Sequence, residues 1–135
     1  MLPRLTTITL AILTLAACGK EKHDDEHRAA PAGEHAAGRT IVIEVHTDET
    51  GNYFKPNQVT AHEGDILRFT LVTGVHNVHF LPDSNPGKKG LPPASDFLQL
   101  PGQTVDIPVT FEEGTYYFQC DPHALLGMKG HLVVQ

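Results

Sequence analysis

The residues most capable of chemistry crowd into one short segment near the carboxyl end of the chain. Cys120, His123 and Met128 place a thiol, an imidazole and a thioether within CDPHALLGM, in a chain with only two cysteines and two methionines. His76 lies 44 residues upstream of the cysteine, in the segment HNVHF. Thiolates and thioethers are soft ligands, and imidazole suits copper, zinc and iron. Three uses of these residues are open: a metal site, a catalytic nucleophile, or ordinary core packing.

The elements that must position these residues are short β-strands. From Thr40 onward apolar and polar residues alternate, and Gly, Pro and Asn separate the runs. The apolar positions that share a face within each run are Ile41, Ile43 and Val45; Leu67, Phe69 and Leu71; and Val105, Ile107, Val109 and Phe111. This pattern predicts an all-β fold, an antiparallel Greek-key β-sandwich of about eight strands over residues 39–135. An immunoglobulin domain is disfavoured, because its core Trp and paired cysteines are missing.

Alternation also predicts where the chemistry-bearing side chains point. Side chains alternate strictly along a strand, so residues two apart share a face. The predicted core neighbours are Tyr116 and Phe118 for Cys120, Val78 and Phe80 for His76, and Leu132 and Val134 for Met128. Three predicted strand ends therefore aim an imidazole, a thiol and a thioether at one interior end of the sandwich, and His123 follows in the loop. His79 lies on the opposite face and is predicted at the surface.

The combination of donors favours a metal over the other two uses. Two His, one Cys and a weak axial Met form the trigonal arrangement of a blue-copper site, whereas structural zinc prefers four strong nitrogen or sulfur ligands. A catalytic cysteine needs exposure, which an inward-facing Cys120 lacks. An unused buried thiol is unusual in an oxidising compartment, and a disulfide to Cys18 conflicts with the inward direction of Cys120. We therefore expect copper.

The spacing C-x2-H-x4-M with an upstream His resembles that of cupredoxins of the plastocyanin/pseudoazurin type. The resemblance covers roughly residues 40–135, through GVHNVHF, the PGQT turn, GTYYFQCDPHALLGM and KGHLVVQ. It implies one type 1 copper held by His76, Cys120, His123 and Met128. It also implies an electron carrier and not an enzyme.

The same resemblance implies supporting residues around the copper. Asn77 takes the place of the residue that ties the first ligand loop to the Cys loop. Asp121 stands where Ser or Thr is common in the family, which leaves the hydrogen-bond partner of Asn77 open, and Gln119 stands where plant plastocyanins have Tyr. In the family the second ligand His reaches the surface through an apolar docking patch, formed here by Gly74, Val75, Pro122, Ala124, Leu125 and Leu126.

The first residues of the chain resemble a bacterial lipoprotein signal. Arg4 precedes an apolar run, 5–15, that is too short to span a bilayer, and Leu-Ala-Ala-Cys at 15–18 resembles a lipobox. We expect a signal peptide over 1–17, then a lipidated Cys18 and a flexible His-rich linker over 18–38. The domain would then be anchored to the membrane by lipid, on the periplasmic side of the cell envelope. An ordinary cleaved signal that happens to contain Cys is the alternative.

Charge and motifs narrow the class of partner. The formal net charge is −6, which argues against nucleic acid, and no P-loop, G-x-G-x-x-G or G-x-S-x-G motif occurs. We expect a monomer that carries single electrons between redox proteins such as a c-type cytochrome or a copper oxidase or reductase. The alternative is copper storage or delivery, aided by the linker histidines His23, His27 and His35.

Overall fold

The computed structural model describes residues 38–135. They form seven strands and two short 3₁₀ helices. The strands are β1 (Thr40–Asp48), β2 (Gly51–Lys55), β3 (Gln58–Ala61), β4 (Ile66–Leu71), β5 (Thr104–Pro108), β6 (Gly114–Gln119) and β7 (Lys129–Val134), and the 3₁₀ helices are Pro82–Ser84 and Asp121–Leu126. Within 38–135, no helix has the length and apolar character needed to cross a membrane. The predicted signal peptide, Cys18 and nearly all of the linker lie outside the described residues, so those boundaries stay predictions.

The strands form two sheets, with the orders β2-β1-β4-β5 and β3-β7-β6. The predicted all-β sandwich is confirmed, but the sheets are mixed and not purely antiparallel. β1 runs parallel to β4, and β3 runs parallel to β7. Parallel neighbours arise because the strands that pair are distant in sequence and the chain returns through long connections, a property that alternation within a strand does not encode.

The segment from His76 to Phe80, which the alternation predicted as an eighth strand, is not one. Its backbone bonds first to Leu98 through His76 and then to Gln119 through His79. Because the segment changes partner after three residues, neither pairing grows into a ladder. It still follows the predicted phase, with His76 fully buried and His79 partly exposed.

The core lies between the two sheets and is made by the predicted faces. The buried residues that the alternation predicted include Ile43, Val45, Leu67, Phe69, Leu71, Ile107, Val109, Phe111, Tyr116, Phe118, Leu132 and Val134. Phe118 is packed edge-to-face against Phe54 and Phe69, with ring centroids 5.1 and 5.4 Å away. Such aromatic pairs add roughly 0.5–1.5 kcal/mol beyond their buried area. This aromatic cluster packs around β6, the strand that leads directly into Cys120.

Candidate metal centre

Three side chains from two separate segments of the fold bring their ligand atoms together. Cys120 follows the end of β6, His123 lies in the 3₁₀ helix Asp121–Leu126, and His76 lies on the segment bonded to Leu98. The Cys120 Sγ atom lies 3.5 Å from His76 Nδ1 and 3.4 Å from His123 Nδ1, and the two Nδ1 atoms are 3.1 Å apart. The point equidistant from all three lies roughly 2 Å from each, close to ordinary metal–nitrogen and metal–sulfur bond lengths.

The loop that carries the thiol and the second imidazole is closed by its own backbone. The Cys120 N–H donates to the Met128 carbonyl, and the Met128 N–H donates to the His123 carbonyl, both at 3.2 Å. Pro122 stands in the first turn of the 3₁₀ helix, where its fixed φ and missing N–H cost nothing. Met128 is fully buried directly before β7. His76, Cys120, His123 and Met128 therefore form the ligand geometry of a type 1 site, as predicted.

The electrostatics of the site favour neutral side chains unless a cation is present. Burial raises the pKa of the Cys120 thiol, and backbone hydrogen bonds from Asn77 and His123 only partly offset that effect. Burial also lowers the pKa of His76, and the neighbouring His123 lowers it further. A metal that stabilises thiolate and takes a lone pair from each imidazole fits this environment. Two nitrogens, one thiolate and a buried thioether suit copper better than zinc.

The structure answers the open question about Asn77. Its Nδ2 donates to Asp121 Oδ2 at 2.9 Å, and the Asp121 N–H donates to Asn77 Oδ1 at 2.8 Å. Asn77 directly follows the candidate ligand His76 in the chain, and Asp121 directly follows the candidate ligand Cys120. This pair of hydrogen bonds therefore joins the His76 segment to the Cys120 loop. The Asp121 carboxylate is an acceptor for Asn77.

Asp121 accepts hydrogen bonds from further side chains, and the sequence did not predict one of these donors. Partial burial opposes ionisation of Asp121, but hydrogen bonds from Gln119, Asn77 and His79 hold the pKa of its carboxyl below the ordinary value. The prediction of His79 as a simple surface residue was incomplete. Its ring is partly buried, and its Nδ1 lies 3.0 Å from Asp121 Oδ1. The only sequence feature that could have pointed to this contact was the carboxylate of Asp121, because a partly buried carboxylate requires hydrogen-bond donors.

A second contact missed by the sequence lies behind His76. Its Nε2 atom lies 2.9 Å from the hydroxyl oxygen of Thr47, at the end of β1, and 3.1 Å from the Thr73 carbonyl. No sequence signal pointed to Thr47, because the pair is 29 residues apart and on different elements.

The predicted docking patch is open to solvent around His123, which is itself partly exposed. Val75 is 49% exposed, Leu126 is 69% exposed and Leu125 is completely exposed. Pro122 is exposed as well, and Ala124 is half-buried. The structure adds Phe97, which is 49% exposed and precedes the residue bonded to His76.

Comparison with known proteins gives one family. The family described as copper binding proteins, plastocyanin/azurin family, matches residues 41–135. Plastocyanin A/B of Petroselinum crispum is 34% identical over 95 residues, which cover 68% of this chain and 97% of that protein. Among solved structures, oxidised plastocyanin of Dryopteris crassirhizoma is 34% identical with a TM-score of 0.56, covering 70% of this chain and all of the other. Pseudoazurin of Methylobacterium extorquens AM1 is 29% identical with a TM-score of 0.51, covering 70% of this chain and 74% of the other. The chain thus belongs to the plastocyanin/azurin family of copper-binding proteins and is a plastocyanin-like blue copper electron carrier.

Proposed function

We propose that this protein carries single electrons between redox proteins at the periplasmic side of a bacterial cell envelope, where a lipid on Cys18 anchors it. The observation that carries the electron-transfer role is the ligand geometry, with two Nδ1 atoms and one Sγ atom within 3.1–3.5 Å of one another beside a buried thioether. Because four protein side chains would fill the coordination positions of the copper, no position on the metal would remain for a substrate. A site of this kind suits a change of copper oxidation state with little rearrangement, and this supports a role other than catalysis.

The surface around His123 supports docking of a protein partner. Large apolar side chains exposed together mark places where other molecules bind, and Leu125, Leu126 and Val75 are such side chains. Redox partners use small, weak interfaces that release quickly. A monomer that presents this patch to a c-type cytochrome or to a copper oxidase or reductase would bring the partner against the imidazole edge of His123.

Electron exchange with a c-type cytochrome tests the patch. Leu126→Asp should slow second-order exchange about tenfold, the factor that a loss of about 1.4 kcal/mol of docking free energy gives. Val42→Asp is the matched control, because Val42 is 52% exposed but belongs to the middle of β1. Equal rates for wild type and Leu126→Asp would rule out this surface as the docking site for that partner.

The lipid anchor rests on the amino-terminal sequence. Arg4, the apolar run and the small residues before Cys18 have the order of a lipoprotein signal, and several acyl chains hold a protein firmly where one is marginal. In a bacterial host, labelled fatty acid should enter the wild-type chain, and the chain should remain with the membrane fraction. Cys18→Ala should abolish both. Membrane retention of Cys18→Ala without any label would contradict the anchor.

Copper storage or delivery is the second candidate, supported by His23, His27 and His35 in the acidic linker. If the protein is an electron carrier, replacing the three linker histidines with Ala should leave the rate of copper transfer to a competing chelator unchanged. The electron-carrier role also predicts that a chain beginning at Gly38 binds one copper with an unchanged spectrum. Slower hand-over without the three histidines would favour delivery.

A further inference from the structure

The two nitrogens of the His76 ring have different surroundings. Nε2 faces two oxygen atoms, the Thr73 carbonyl at 3.1 Å and the Thr47 hydroxyl at 2.9 Å. A carbonyl oxygen can only accept a hydrogen bond, so Nε2 must carry the proton. The neutral ring then has its lone pair on Nδ1, the atom that faces Cys120 Sγ and His123 Nδ1.

The Thr47 hydroxyl is set up to accept from this ring. Its own proton goes to Asn52 Oδ1 at 2.7 Å, so a lone pair remains for the imidazole N–H. Asn52 is the register partner of Thr47 across the β1–β2 hairpin. The backbone of Thr47 is held as well, because its N–H donates to Thr73 Oγ1 at 2.9 Å and its carbonyl accepts from the same hydroxyl at 2.6 Å.

The close approach of Thr47 to His76 depends on a residue without a side chain. Gly74 has a φ of +94°, and a Cβ atom there would lie 2.4 Å from Thr47 Oγ1 and 2.5 Å from His76 Nε2. Both distances are far below van der Waals contact, so any side chain at this position would separate the pair. The loop is therefore shaped around this hydrogen bond.

We propose that Thr47, held by Asn52, is a positioning residue for His76. Its hydroxyl fixes the rotation of the imidazole ring and, together with the Thr73 carbonyl, the tautomer that presents Nδ1 to copper. Outer hydrogen bonds of this kind orient metal-bound histidines and raise their basicity, and their loss typically weakens metal binding about 10–100-fold. The inference rests on His76 as a copper ligand under the proposed function, but one of its readouts needs no copper.

The test compares Thr47→Val, which keeps the shape and removes the hydroxyl, with Thr47→Ser, which keeps the hydroxyl. In the copper-free protein, heteronuclear NMR should show a slowly exchanging proton on His76 Nε2 in wild type and Thr47→Ser. In Thr47→Val that proton should exchange at least about tenfold faster. Competition with a chelator should show Cu(I) binding weakened about tenfold or more in Thr47→Val alone. Thr60→Val, an exposed threonine on β3, is the control and should match wild type.

Each result decides the proposal. Thr47→Val with wild-type proton exchange and Cu(I) affinity would overturn it, and so would Thr47→Ser that is as impaired as Thr47→Val. If Thr47→Val does not fold, Asn52→Ala takes its place and should weaken Cu(I) binding by an intermediate factor, because the hydroxyl is then free to rotate. Failure of wild type to bind Cu(I) would contradict the proposed function, whereas the Nε2 proton in copper-free protein would still report on Thr47.

Discussion

Replacing Gly74 with Ala should damage the copper site far more than the same change at a glycine with similar backbone geometry. Gly64 is the matched position, with φ of +91° against +94° for Gly74, and a Cβ there would have no neighbour within 4 Å. Both variants place a side chain in the left-handed region, at a shared cost of roughly 1–2 kcal/mol. Only Gly74→Ala adds a collision.

The size of the additional effect follows from the contacts that the new methyl group would break. It would meet Thr47 at both Oγ1 and Cβ, the latter at 2.9 Å, so rotation of the hydroxyl alone gives no relief. Two hydrogen bonds to Thr73 Oγ1 hold the Thr47 backbone in place. The new methyl group can therefore fit only if Thr47 or His76 is displaced. Thr47 accepts a hydrogen bond from His76 Nε2 and donates one to Asn52 Oδ1, and the loss of each costs about 0.5–1.5 kcal/mol. Gly74→Ala should therefore be roughly 1–3 kcal/mol less stable than Gly64→Ala.

Urea unfolding of the copper-free protein measures that difference, and chelator competition measures Cu(I) affinity in the same preparations. Gly74→Ala should lose both stability and about tenfold or more in affinity, whereas Gly64→Ala should lose stability alone. Equal losses of stability with equal Cu(I) affinities would refute the claim that the loop is shaped around the Thr47–His76 contact.

Two further changes test other parts of the structure. Met128→Gln should keep copper bound and lower its reduction potential, because a thioether favours Cu(I) and an amide oxygen favours Cu(II); a raised potential in voltammetry would contradict Met128 as the axial ligand. Asp65 is buried, and a hydrogen bond from the His62 backbone outweighs burial to hold the pKa of its carboxyl below the ordinary value. Its folded pKa is thus below the unfolded value of about 3.9, so its contribution to stability is present above that pH and is lost as pH falls through the folded pKa. Asp65→Asn should cost roughly 1–3 kcal/mol at neutral pH and flatten the acid limb of the stability curve, whereas Asp106→Asn, on an exposed pair with Arg68, should change that limb less; identical acid limbs in wild type and Asp65→Asn would contradict this role.

The faces of the strands were predictable because alternation depends only on neighbouring residues. Ile43, Phe69 and Phe118 are buried where the period of two places them. The parallel pairing of β1 with β4 was not predictable in this way, since it depends on how long connections return the chain. The side chains of the segment at His76 point as the alternation predicts, but the segment does not form a strand, because its backbone hydrogen bonds are divided between two different partners.

The ligands could also be predicted from local sequence, whereas the residues that support them could not. Cys120 and His76 carried a signal in their chemistry and their phase, and the structure brings them within 3.5 Å. Thr47 had no such signal, and for His79 the only hint was the neighbouring carboxylate of Asp121, because a threonine or a histidine beside a strand is ordinary until its neighbour in space is known. Asp121 was recognisable as unusual, but only the structure identifies the donors that surround it.

A potentiometric titration of the copper-loaded protein, followed by its visible absorption, decides whether this chain is a blue copper electron carrier. Because Cys120 is the thiolate in the ligand set, an intense band from thiolate-to-copper charge transfer should disappear in a single one-electron reduction and return on oxidation. Cys120→Ser should show no such band. A colourless wild type with bound Cu(II), or a band that does not follow the applied potential, would contradict a blue copper electron carrier.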